Sequence, residues 1–103
     1  MKYQTEAEAF RAIAEKFARG SQTYPMYGIC AEIRLIESWG NAPYHVINAM
    51  YARTRHHAGS MSGFAYGTDY TVRTPCGFAA IRNDEGRALA CLWMALEAEE
   101  EGK

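Results

Sequence analysis

The side chains with the most reactive chemistry are Cys30, Cys76, Cys91 and the adjacent pair His56-His57. Zinc sites take their ligands in close pairs such as C-x2-C or H-x3-H, because one loop or one helical turn must present two ligands to the same ion. The three cysteines are isolated from one another, and neighbouring histidines diverge by about 100° on a helix. The spacing therefore predicts no metal and no cofactor. Cys76 stands in an expected loop between Pro75 and Gly77. A histidine in reach could draw off its proton and leave a nucleophilic thiolate, which defines a small-enzyme reading. No local protease signature surrounds it, and a semi-buried structural cysteine is the favoured reading. Gly59-Ser60-Met61-Ser62-Gly63 lacks the G-x-x-x-x-G-K-[ST] pattern of a phosphate loop and follows a helix rather than a strand. The H-E-x-x-H, G-x-S-x-G and G-x-G-x-x-G patterns are absent from the sequence. The chain reads as a non-enzyme.

A softer constellation lies at the end of the expected third helix. Arg53, Arg55, His56 and His57 form a basic end, followed by a glycine-punctuated stretch with Phe64, Tyr66 and Tyr70. After Arg55 the next acid in sequence is Asp69, so this charge is locally uncompensated. Basic groups beside aromatics can hold phosphates and stack on bases. They can equally anchor a protein interface, where Tyr and Arg are over-represented. The structural alternative is that the cations complement a helix dipole and the rings cover the core. We take Arg53, Arg55, His56, His57, Phe64, Tyr66 and Tyr70 as the expected partner-binding residues.

The elements that must carry these residues are mainly helical. Thr5 and Glu8 make a capping-box pattern ahead of a first helix over Glu6–Arg19, with Phe10, Ile13, Ala14 and Phe17 on its apolar face and Gly20 as its stop. A second helix runs over Ile29–Ser38 with Ile29, Ile33 and Ile36 inward and Glu32, Arg34 and Glu37 outward, ending at Trp39-Gly40. Asn41 is the expected cap of a third helix that buries Val46, Ile47, Met50 and Tyr51 and ends near His57. The stretch from Gly59 to Gly77 is irregular. Phe64–Tyr66 and Tyr70–Val72 around Gly67-Thr68-Asp69 read as a small hairpin or as an ordered aromatic loop. Asn83 and Asp84 are candidate caps of a last helix reaching Glu101, whose Leu89, Leu92, Trp93 and Leu96 recur at helical spacing and are expected in the core.

The pieces Gly28-Ile29-Cys30, Phe64-Ala65-Tyr66-Gly67 and Gly86-Arg87-Ala88-Leu89-Ala90 with Leu92, taken in that order, resemble small uncharacterised helical proteins encoded by bacteriophages and related mobile elements. The resemblance implies an accessory protein and carries no activity or site residues.

The 103 residues suit one domain, 1–103, of mainly α class: about four helices with an irregular segment before the last. No apolar run approaches the ~18 residues of a membrane span, and the polar N-terminus does not read as a secretory signal. The odd, scattered cysteines point to a reducing compartment, hence a cytoplasm. A net charge of −1 demands neither nucleic acid nor membrane. The expected function is a non-enzymatic binding protein that occupies a surface of a host or phage macromolecule, of inhibitor or adaptor type. Its expected partner is a protein, with nucleic acid as the rival. Surplus aromatics such as Tyr24, Tyr27, Trp39 and Tyr44 suggest a homodimer.

Overall fold

The computed structural model of the chain describes residues 1–20, 28–57, 70–74, 77–81 and 84–102, the two short internal stretches as backbone only. Among these residues the order is α1 (Glu6–Ala18), α2 (Ile29–Ser38), α3 (Tyr44–His57), β1 (Tyr70–Thr74), β2 (Gly77–Ile81) and α4 (Asp84–Glu101). The fold is a mainly α, compact helical bundle. β1 and β2 pair antiparallel, from Tyr70 opposite Ile81 to Thr74 opposite Gly77. Phe64–Tyr66, the partner run expected from sequence, lies outside the described residues, as do Tyr24, Tyr27 and the glycine stop at Gly59.

Local chemistry fixes the helix ends. The Glu8 amide donates to Thr5 Oγ1 at 3.2 Å, and the Thr5 hydroxyl donates to the Glu8 carboxylate at 3.1 Å. This satisfies one of the free amides of the first turn. Gly20 follows α1 at φ 64° and Gly40 follows α2 at φ 65°, a left-handed conformation in which a Cβ is strained. The start of α3 differs from expectation. Pro43, not Asn41, supplies the carbonyl that accepts from the Val46 and Ile47 amides. Asn41 instead ties the α2–α3 connection down, donating its amide to Ile36 O and accepting from the Tyr3 amide.

The core is built mainly on α1. Phe10, Ile13, Ala14 and Phe17 are buried and meet Ile29, Ile33 and Ile36 of α2, and Val46, Ile47 and Met50 of α3. Each such large side chain contributes about 1.5–3 kcal/mol on burial. Among the described elements, the most extensive interface is that of α1 with α4.

Two expectations about faces are overturned. Glu32 does not point outward. It is 3% exposed, with its carboxylate 2.7 Å from Lys16 Nζ. Three residues after Ile29, it falls on the apolar face that the isoleucines define. The second correction concerns α4. Leu89, Leu92 and Leu96 are 62%, 48% and 46% exposed, and Trp93 is only half-buried. The buried face carries Arg87, Ala88, Ala90, Cys91, Met94 and Ala95. At 100° per residue the three leucines lie about 160–220° around the helix from Met94. Both faces have helical periodicity, so periodicity alone does not choose between them. The small side chains of α4 let its backbone approach α1, where Ala7, Ala14 and the two phenylalanines are buried.

The two faces of α4 should answer truncation differently. Met94 is fully buried, so Met94→Ala is expected to cost about 2–5 kcal/mol in urea denaturation. Leu92→Ala should change stability by less than about 1 kcal/mol. The reverse order would return the leucines to the core.

Candidate functional site

The end of α3 holds most of the described candidate residues, and the structure separates them. Arg53 is not an uncompensated cation. Its guanidinium donates to Glu6 of α1 and to Glu97 and Glu101 of α4, with a further contact from Nη2 to Glu6 Oε1 at 3.3 Å. The Arg53 side chain is 14% exposed. Burial works against its charge, but hydrogen bonds from Glu6, Glu101 and Glu97 outweigh that and raise its pKa above the ordinary arginine range. His57 is buried beside it, with Nε2 2.8 Å from Glu97 Oε1. Arg55 and His56 are exposed. Phe64 and Tyr66 lie outside the described residues, and of Tyr70 only the backbone, in β1, is described.

The cluster joins three helix ends that sequence keeps far apart: Arg53 is 47 residues from Glu6 and 44 from Glu97. Burial pushes the Glu97 carboxyl up, but the hydrogen bonds with His57 and Arg53 and their charges prevail and hold it below the ordinary carboxylate range.

Neither described cysteine is an activated nucleophile. Burial pushes the Cys30 thiol up to about 11, against the lowering fields of Arg34 and Arg55. Cys91 is pushed up further by complete burial and by the Glu32 charge. Both therefore stay protonated and inert at neutral pH. Cys76 lies outside the described residues. Among the described residues no group of three or more His, Cys, Asp or Glu side chains could hold a metal ion, and no helix is long and apolar enough to cross a membrane. A cleft of about 220 Å³ between α1 and α2 is lined by Lys2, Tyr3, Lys16, Glu32 and Trp39, with Glu32 already bound to Lys16.

The feature that sequence reading missed is the outer face of α4. Leu89, Leu92 and Leu96 form an exposed apolar stripe. At its N-terminal end the stripe runs into a cleft of about 530 Å³ lined by Phe17, Arg19, Glu85, Ala88, Leu89 and Leu92. Arg19 is held at its rim by Glu15, 2.8 Å away. Behind the cleft, Arg87 packs 6.0 Å above the Phe17 ring and contacts Asp84 at 3.2 Å, anchoring the start of α4 to the end of α1. The signal in the sequence was a second apolar stripe, Ala88, Cys91 and Ala95, at the same spacing as the leucines, together with Glu97 and Glu101 on the Met94 side.

No protein-family model matches the chain, no curated protein is significantly similar to it, and no solved structure matches its fold.

Two outcomes are expected at the α3 end. Arg53→Ala leaves three carboxylates facing one another and should cost about 3 kcal/mol in chemical denaturation. Arg55→Ala, at an exposed position, should be near neutral. The pH response follows from the depressed Glu97 pKa. The unfolded chain binds the proton more tightly there, so the Glu97 contribution is complete above the ordinary value of 4.5 and is lost as pH falls through the folded value. The stability gap between the parent and Glu97→Gln should therefore narrow from about pH 5.5 to about pH 3 in thermal melts. A gap constant over that range would show that Glu97 is not charged in the cluster.

Proposed function

We propose that the chain is a non-enzymatic binding domain, an accessory protein that acts by occupying a surface of another protein. The observation that carries this reading is the leucine stripe of α4. A helix held on one side by a packed interface and by the Arg53 cluster presents three large aliphatic side chains to solvent on the other. Scattered apolar residues are ordinary on protein surfaces, but a contiguous stripe adjoining a cleft is the usual mark of an interaction site. A fixed helix also suits recognition, because little conformational entropy remains to be lost on binding. The resemblance to bacteriophage accessory chains supports a host or phage macromolecule as the target.

The nucleic-acid reading is left with less. With Arg53 engaged by carboxylates, Arg55 and His56 are the exposed basic side chains of this patch among the described residues. One arginine and one histidine release at most about two counterions, which gives only a shallow dependence of affinity on salt.

The test is capture from cells that produce the chain, compared with a Leu89→Ser/Leu92→Ser double variant whose thermal midpoint is measured alongside. Proteins retained by the parent should be lost from the variant while folding is kept. An unchanged capture profile, or a filter-binding affinity for nucleic acid that falls steeply with salt, would overturn the proposal.

A further inference from the structure

The binding reading leaves open what lies on the α4 face, and the arrangement of charge around the stripe narrows it. Glu85 lies one turn before Leu89, and Glu99 and Glu100 lie one turn after Leu96, all on the outward side of the helix. Glu99 is engaged by Arg11 at 2.7 Å. Among the described residues no side chain forms an ion pair with Glu85 or Glu100. The apolar stripe is thus bounded at each end by an exposed carboxylate that has no ion-pair partner among the described residues.

A second copy of the chain fits this face poorly. Antiparallel pairing of two α4 helices centred between Leu92 and Trp93 would place Leu89 opposite Leu96 of the other copy, which is favourable. The same register sets Glu85 opposite Glu100 at both ends. Parallel pairing sets each acid beside its own equivalent. Like charges opposed across an interface select against a partner. Phosphate backbones and anionic lipid surfaces are repelled by the same carboxylates.

We infer that the face receives a basic amphipathic helix of another protein, with an apolar stripe and with lysine or arginine at both ends of that stripe. This inference rests on the protein-binding reading above and names the chemistry of the partner. A helix laid along α4 can set apolar side chains between Leu89, Leu92 and Leu96, as amphipathic helices do in apolar grooves. One larger apolar anchor enters the cleft beside Leu89 and Leu92. The terminal cations meet Glu85 and Glu100, where they set orientation and on-rate more than affinity.

The test uses the full chain and two synthetic helical peptides of about 18 residues with leucines at i, i+3 and i+7. One carries lysines at both ends of the leucine stripe and the other glutamates. In fluorescence anisotropy at low salt the lysine peptide is expected to bind about tenfold more tightly. Glu85→Lys/Glu100→Lys should reverse that preference, and Leu89→Ser/Leu92→Ser should weaken both peptides with only a small fall in the thermal midpoint. Equal binding of the two peptides, or binding of neither, overturns the inference. The binding reading stands in that event if cellular capture still depends on the leucines, and falls with it if capture does not. A dimer in sedimentation that the leucine double variant dissolves would assign the face to a second copy. A large fall in thermal midpoint for that variant would show the face covered within the chain. Either result overturns the basic partner.

Discussion

The arrangement of α4 depends on one interaction, the grip of Glu6, Glu97 and Glu101 on Arg53. Two apolar faces of this helix compete for the core, and the leucine face carries more apolar surface than the alanine face. Glu97 and Glu101 can reach Arg53 only when Met94 is turned inward. That rotation brings Ala88, Cys91 and Ala95 against α1 and leaves the leucines outside. Partly buried ion pairs are poor sources of net stability, since desolvation consumes most of the Coulombic gain. Removing one partner from a formed cluster is costly, however, because it strands the others. The grip therefore acts chiefly by selecting one rotation, and through it decides which side chains face solvent.

Much of the fold was legible in the sequence. The Thr5 cap, the stops at Gly20 and Gly40 and the apolar stripes of α1, α2 and α3 act within one or two helical turns, so near neighbours in sequence are near neighbours in space. The errors share a different origin. Arg53 looked uncompensated because charge was counted along the chain, whereas its partners come from the two helices most distant in sequence. Glu32 has the type of a solvated residue, but it sits on the isoleucine face and Lys16 reaches it from α1. On α4, leucine and tryptophan are the larger apolar types, yet the core takes the face of Ala88, Cys91 and Ala95. An interface on which one helix supplies phenylalanines is best matched by small residues on the other, a complementarity between elements that no single stretch displays.

The same logic explains why the expected site was hard to place. Clustered cations beside aromatics describe composition, and a functional surface needs those groups to be both accessible and uncommitted. Among the described residues at the end of α3, His57 is buried and Arg53 is committed, which leaves Arg55 and His56 outward. The leucines of α4 passed the opposite test: assigned to the interior by type, they are accessible by geometry. Surface and core were exchanged at these two places because both depend on how distant helices meet.

The two tryptophans give this chain a built-in optical asymmetry. Trp39, at the end of α2, is 71% exposed, so its emission resembles that of an unfolded chain and changes little as structure is lost. Trp93 is half-buried on α4, with an indole nitrogen shielded from solvent and without a hydrogen-bond acceptor among the described residues. It lies immediately beside Leu89, Leu92 and Leu96 on the helix surface. Intrinsic fluorescence therefore carries two nearly independent signals: a constant background from Trp39, and a polarity-sensitive one from Trp93 that shifts to the blue when anything dry is laid along that side of the molecule.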